Sequence, residues 1–225
     1  MIELSALKPF AMGGRRECYV HPAFPERCIK VPRPEFAPDK LRKKNRWWRS
    51  LRKSTSSFNE NISDWKVLHR LEKSGDEDIW AHIPRCHGWE ETDRGPGLVI
   101  ELLRDSDGLI SRTLLDWAWE NGECPVLGDT VEELAVYWES RTIPSRSLGL
   151  HNIVMQELGD GKHRLVVIDG LGSTEFFPFS RCSRRYALRR SRSKIQRLRR
   201  DLADLLKKRE EKQSPGHRGF LLSRQ

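Results

Sequence analysis

Apolar positions in the first segment of the chain come in short clustered runs rather than at helical spacing. Cys18-Tyr19-Val20 and Cys28-Ile29-Lys30-Val31 are two such runs, parted by His21-Pro22. Short β-prone runs bounded by turn residues predict strands, so this pair reads as a hairpin. Met12-Gly13-Gly14 gives a glycine loop leading into its first strand, and Pro32, Pro34 and Pro38 stop the second. Residues 40–54, which include Trp47-Trp48, admit a helix before a serine-rich loop. Ile62, Trp65, Leu68 and Leu71 then recur about every three positions, predicting a helix that ends at Gly75-Asp76. Residues 86–90 read as a strand, 93–97 as a Gly-Pro-Gly turn, and 98–102 as the clearest strand of the chain.

Beyond residue 105 the pattern turns helical. A short apolar helix is expected over 113–120, and a second over 130–140 with Thr130 and Glu133 as a capping pair. Residues 152–155 and 165–168 predict two strands around the Gly159-Asp160-Gly161 turn. Ile195, Leu198, Leu202, Leu205 and Leu206 mark an amphipathic helix from residue 193 to about 210, and the polar stretch after it reads as frayed. The expected class is α+β: a β-rich N-terminal lobe over 1–102 holding a small antiparallel sheet and one helix, a mainly helical C-terminal lobe over 103–210, and a flexible tail over 211–225. A cleft is expected between the lobes.

Charge sharpens this picture. The 225 residues carry a net charge of +9, unevenly spread. Residues 181–225 hold +12, residues 27–53 hold +9, residues 1–26 balance, and residues 54–180 carry −12. Basic segments at 27–53 and 181–200 can meet nucleic acid or another anionic partner, or can neutralise the acidic middle. Five widely spaced cysteines make a poor disulfide framework, and Cys86-His87 lacks a second ligand pair at zinc-finger spacing, so buried thiols are expected. No stretch reaches the roughly 18 apolar residues of a membrane span, and Met1 to Phe10 lacks a signal-peptide core. The expected location is therefore cytoplasmic.

Candidate chemistry lies in the order of weak signals. Gly13-Gly14 alone reads as a turn, Lys30 as a snorkelling strand lysine, Asn152 as a strand cap, and Asp169-Gly170 as another turn. In sequence they run as glycine loop, strand lysine, helix with acids, linker strand, then an asparagine hairpin ending in Asp-Gly. That is the order of a kinase nucleotide site. Loop N–H groups cover phosphates, the lysine pairs with them, and asparagine and aspartate hold the metal.

A resemblance makes this order specific. Arg16-Glu17-Cys18-Tyr19-Val20-His21-Pro22 with Arg27-Cys28-Ile29-Lys30 resembles the opening of the YrbL family, named for the PhoP regulatory network. Ile83-Pro84-Arg85-Cys86-His87-Gly88, followed by Glu91-Thr92-Asp93 and Gly97, is similar to that family's middle. Ser147-Leu148, Asn152-Ile153 and Val167-Ile168-Asp169 resemble its later part, so the likeness covers roughly residues 4–190. The resemblance implies a reduced protein-kinase-like fold in a bacterial regulatory protein. It also implies ATP and Mg2+ as cofactors, with Lys30 pairing phosphates. Asp64, or failing it Glu60, would be the lysine's acidic partner. Glu101 and Leu102 would lie at the adenine-contacting hinge, and Asn152 and Asp169 would hold the metal.

The sequence departs from a kinase where catalysis would be done. The proton-accepting aspartate of a kinase falls here at Ser147, within Ser145-Arg146-Ser147, and the lysine expected two residues later is Gly149. A hydroxyl is no substitute for a carboxylate base. The first reading is a pseudokinase-like ATP/Mg-binding regulator with weak or absent transfer. The alternatives are an atypical kinase acting on a small molecule or a protein, with Asp169 or Asp160 assisting the acceptor, and a basic module that binds nucleic acid or a partner protein without nucleotide.

Overall fold

The computed structural model describes residues 1–36, 60–172, 183–216 and 220–224. Trp47-Trp48, most of the first basic segment, and the 181–182 start of the second lie outside the described residues. The chain forms two compact units. One is drawn from Met1–Ser74, Arg85–Leu102 and Arg218–Gln225, the other from Gly75–Pro84 and Leu103–His217.

The first unit is built on a six-stranded antiparallel sheet. Its strands are β1 (Ala11–Met12), β2 (Arg16–Val20), β3 (Arg27–Pro32), β4 (Cys86–Thr92), β5 (Gly95–Glu101) and β9 (Phe220–Leu221), in the order β4-β5-β3-β2-β1-β9. Period-2 alternation splits β2 and β3 into two faces. Tyr19, Ile29, Val31 and Val99 pack with Leu4 into a buried cluster on one face. Across the strands Cys18 pairs with Lys30, and Lys30 with Leu98, on the other face. The segment before β1 is clamped by Asp93, whose two carboxylate oxygens accept the N–H groups of Leu4 (2.7 Å) and Ser5 (3.0 Å). The tail expected to fray instead supplies β9, and the Leu222 N–H donates to the Phe10 carbonyl at 2.7 Å. A two-residue strand carries no periodicity, so pattern alone could not reveal it.

Among the described residues the α-helix of this unit is α1 (Glu60–Glu72), and it departs from its apolar pattern. Its buried residues are Asn61, Asp64, Val67 and Leu68, while Ile62, Trp65 and Leu71 are only half-buried. Two polar side chains therefore face inward, and they need partners there.

Among its described residues the second unit combines a three-stranded sheet, β6 (Arg112–Thr113), β7 (Ile153–Gly159) and β8 (Lys162–Val167), with three α-helices. Helix α2 (Leu114–Asn121) is capped by the Thr113 hydroxyl, which accepts the Asp116 N–H at 3.1 Å. Helix α3 (Pro125–Arg141) begins five residues before the expected start, with Pro125 in its first turn and Cys124 as the cap residue. Thr130, expected as the cap, lies inside the helix, and its hydroxyl donates to the Val126 carbonyl at 2.8 Å. Helix α4 (Arg184–Glu210) also starts earlier than expected, behind the cap Ser183. Its buried stripe begins with the small residues Ala187 and Ser191 before Ile195, Leu198, Leu202 and Leu205. Among the described residues no helix is long and apolar enough to cross a membrane.

Candidate functional site

The residues singled out from the sequence fall in both units. Gly13, Gly14, Lys30, Asp64, Glu101 and Leu102 belong to the first, and Ser147, Asn152 and Asp169 to the second.

In the first unit, Gly13 and Gly14 form the exposed tip of the β1–β2 hairpin. The Gly13 N–H donates to the Arg16 carbonyl at 2.9 Å. Neither glycine has a left-handed backbone, and a Cβ added to Gly14 would meet nothing within 4 Å. The fold itself does not require glycine at this tip. An open, side-chain-free loop is what close approach of a phosphate needs.

Lys30 is buried at 4% exposure in the middle of β3. Its carbonyl accepts the Asn61 side-chain amide at 2.7 Å, which anchors α1 to this strand. Asp64, the expected acidic partner, meets a cation that the sequence reading did not single out. Arg16 Nη1 donates to Asp64 Oδ2 at 2.7 Å and to Asn61 Oδ1 at 2.8 Å. All three residues are buried. Glu60, the second choice, lies at the rim, 3.6 Å from Arg16 and 3.7 Å from Arg15. The available clue was the helix pattern itself, since Asn61 and Asp64 are three apart and so share a face.

At the end of β5 the Glu101 N–H donates to the Arg85 carbonyl at 2.9 Å, and its carboxylate accepts the Arg85 N–H at 3.0 Å. The Leu102 N–H donates to the Glu26 carbonyl at 2.8 Å. The backbone N–H groups of both residues expected at the hinge are thus committed inside the unit.

The most distinctive run of the sequence proves to be structural. His21 is buried, and its Nδ1 accepts the N–H groups of Ala23 (3.1 Å) and Phe24 (3.2 Å). That places the ring proton on Nε2, which donates to Glu90 at 3.2 Å. Tyr19 donates to Glu17 at 2.8 Å beside Arg94, and burial together with Glu17 pushes the Tyr19 hydroxyl up to about 12. Burial likewise pushes the Cys28 thiol up to about 12 and raises that of Cys86, so both are inert thiols.

In the second unit, residues 145–152 run beside the segment that follows β8. The Arg146 N–H donates to the Gly170 carbonyl at 2.7 Å, the Gly172 N–H to the Pro144 carbonyl at 2.9 Å, and the Ile168 N–H to the Asn152 carbonyl at 2.9 Å. Gly170 is the tight point. Its φ is +81°, and a Cβ there would lie 2.7 Å from the Ser147 carbonyl oxygen and 3.1 Å from the Asn152 side-chain nitrogen. Only glycine fits both the backbone and the space. This contact brings Asn152 and the Asp169–Gly170 turn together. The Asp169 carboxylate accepts its neighbour Gly170's N–H and lies 3.8 Å from Arg146 Nη2.

Ser147, expected at the position of a kinase's base, offers its carbonyl to the close contact with Gly170. Gly149, where the lysine was expected, is covered by the His151 ring, whose Cε1 would lie 2.8 Å from an added Cβ. Asn152 and Asp169 supply hard oxygen donors of the kind Mg2+ takes, one amide and one carboxylate. A divalent ion held by these two would complete its shell with water and phosphate oxygens.

The basic face of α4 is engaged with acids of its own unit. Arg199 makes two bonds to the Glu132 carboxylate at 2.8 and 2.7 Å, and Arg192 donates to Glu139 at 2.9 Å, both on α3. Neutralisation of the acidic middle therefore accounts for part of the charge that suggested nucleic acid.

Comparison with known proteins gives the chain its relatives. The Escherichia coli (strain K12) uncharacterized protein YrbL is 28% identical over 195 residues, covering 84% of this chain and 82% of the relative. Among solved structures, the chain is similar to the Mycobacterium tuberculosis PknI kinase domain, with a TM-score of 0.42 and 19% identity. That match covers 77% of this chain and 62% of the PknI chain. It is also similar to WbdD crystallised with the kinase inhibitor LY294002, with a TM-score of 0.42 and 16% identity, over 75% of this chain and 34% of that one. The family model described as PhoP regulatory network protein YrbL matches residues 2–203, and the chain belongs to that family.

Proposed function

We propose that the chain is a kinase-like regulatory protein that binds ATP with Mg2+ and transfers phosphate slowly or not at all. The observation that carries this reading is the Gly170 turn. It holds a metal-binding type of carboxylate, Asp169, beside Asn152, while the position of the base is a serine. In the first unit a buried lysine lies on a strand anchored by Asn61 to α1, whose acid Asp64 is fixed by Arg16. Under this reading Lys30 pairs the phosphates, the Gly13–Gly14 tip covers them, and Asn152 and Asp169 hold the ion. Mg2+ supplies charge neutralisation on the phosphates when bound. Ser147 accepts no proton at neutral pH, and no lysine stands at 149 to steady the transferring group.

The test is a thermal-shift titration with ATP, with and without Mg2+, on the wild type and on a Lys30→Ala, Asp169→Asn double variant whose folding is checked by circular dichroism. Saturating nucleotide at about a hundredfold above Kd is expected to raise Tm by roughly 5–10 °C, only with Mg2+ and only in the wild type. A wild type that ignores ATP·Mg2+, or a folded double variant that still responds, sinks the reading. Radiolabelled ATP incubated with the wild type is expected to transfer little or no phosphate to protein or to small-molecule hydroxyls.

A further inference from the structure

Helix α4 carries more cation than the pairs within its own unit engage. From Arg184 to Arg200 its sequence contains no acid. One side of it, Ala187, Ser191, Ile195, Leu198, Leu202 and Leu205, is buried, and the helix packs on α2 and α3. Its flanks are tied to acids. Arg192 pairs with Glu139 and Arg199 with Glu132, both on α3, and Arg197 lies 3.8 Å from Asp201 of α4 itself.

Arg185, Arg189 and Arg200 stand apart from these pairs. At about 3.6 residues per turn they fall with Gln196 in one row, on the side of α4 opposite the buried stripe. All four residues are exposed. Among the described residues, no carboxylate comes within ion-pair distance of these three arginines. Arg185 and Arg189 are four apart, a spacing at which like charges repel, so the helix gains no stability from having both.

We infer that this row docks on the phosphate backbone of duplex DNA. It runs about 22 Å from Arg185 to Arg200, a length that faces on the order of six phosphates of one strand. The row is built of arginine rather than lysine, and a guanidinium can make two parallel bonds to one phosphate. A line of one charge along a helix suits a stiff polymer that repeats the opposite charge. Other anionic partners fit less well. A helix that lies on a lipid surface turns an apolar face to it, and the apolar face of α4 is buried in its own unit. A protein interface needs an apolar centre, and Gln196 is what lies between these arginines. The row also holds no aromatic ring on which an unpaired base could stack, which favours a duplex over a single strand.

Fluorescence anisotropy of a labelled DNA duplex titrated with the full chain, from about 50 to about 200 mM salt, tests this. Binding is expected at low salt and is expected to weaken steeply as salt rises. Each of Arg185→Gln, Arg189→Gln and Arg200→Gln is expected to reduce the slope of log affinity against log salt by about one, and the triple variant to bind at least tenfold more weakly at the lowest salt. These side chains are exposed, so the variants are expected to keep the wild-type circular dichroism. Lys208→Gln makes the same change of charge off the row and is expected to leave the slope unchanged. Phosphate contacts carry no sequence information, so two duplexes of unrelated sequence are expected to bind alike. Absence of binding at the lowest salt overturns the inference. So does a triple variant with the wild-type slope, or a Lys208→Gln variant that loses as much as the row variants, because net charge alone would then be the cause. Tighter binding to the single strand than to the duplex, or to phosphatidylserine vesicles than to either, overturns it in favour of those partners. A chain that docks on DNA through this row but ignores ATP·Mg2+ keeps this inference and loses the preceding one.

Discussion

The glycine tip at Gly13–Gly14 and the glycine turn at Gly170 do opposite jobs. At the tip, the backbone is ordinary and the space is open, so the fold tolerates a side chain there. At Gly170 the backbone is left-handed and the space is filled by Ser147 and Asn152, so the fold forbids one. The same division separates the two units. In the first, the candidate residues are placed by buried charge, with Arg16 held between Asn61 and Asp64 on the side of α1 that faces inward. In the second they are placed by backbone shape, through the ladder of bonds between residues 144–152 and 168–172. A glycine that the fold does not need is a better pointer to a ligand than one that it does.

Breaking the charge-built side has the largest expected effect. Arg16→Leu leaves the Asp64 carboxylate buried without its guanidinium, at a cost of about 3 kcal/mol in stability. Urea unfolding measures it, and a loss under 1 kcal/mol would show that Arg16 is not what holds Asp64. The backbone-built side is next. Gly170→Ala forces a Cβ onto the Ser147 carbonyl at positive φ and is expected to cost about 2 kcal/mol. Gly14→Ala is its counterpart and sharpens the contrast. Its stability is expected to stay within about 0.5 kcal/mol of wild type, while under the proposed reading its affinity for ATP falls. Equal unfolding midpoints for the two alanine variants would erase the distinction.

Arg16 and Asn61 also mark where the sequence stopped being legible. Strands β3, β5, β7 and β8 could be read because β-branched residues alternate or cluster in them, and α2 because Thr113 and a short apolar run bound it. Helix α1 was located by its apolar residues, yet it buries Asn61 and Asp64 beside Val67 and Leu68, and periodicity says nothing about a polar residue with a waiting partner. The first turns of α4 were lost among arginines because their buried positions, Ala187 and Ser191, are too small to register as hydrophobic. Thr130 resembled a helix cap because its neighbours fit the capping pattern, while Pro125 and Cys124, which begin the helix, carry no such signature. Lys30, Asn152 and Asp169 were singled out by their order alone. The commitment of the Glu101 and Leu102 N–H groups was not legible, because it depends on strand register.

The smallest expected effect concerns pH, and it too divides the units. In the second unit His82 is buried, and its Nδ1 donates to the Leu165 carbonyl at 2.7 Å. Burial holds its proton affinity below the ordinary 6.5. The unfolded chain therefore takes up a proton that the folded chain resists, and stability declines as pH falls below about 6.5. In the first unit the Asp93 carboxyl is held below its usual range by the bonds from Ser5 and Leu4. Its contribution is present above the ordinary carboxylate value near 3.8 and is lost as pH falls through its lowered one. His87 on β4 is also shifted down, by partial desolvation and by the nearby Arg27, and adds a slope of the same sign in the first unit. Unfolding midpoints from pH 7 to 5 are expected to fall in the wild type and to flatten in His82→Gln. An unchanged slope in that variant would remove His82 as the cause.

The pairing of β9 with β1 has a consequence for how the protein is made. Ala11–Met12 emerge from the ribosome early, but their partner Phe220–Leu221 is translated only after the whole second unit. At about 5–20 residues per second, the outer edge of β1 stays open for on the order of ten seconds or more. An open strand edge invites pairing with another chain. Nascent chains on one polysome hold the same bare edge side by side, so the growing protein is most exposed to self-association at this edge before β9 arrives.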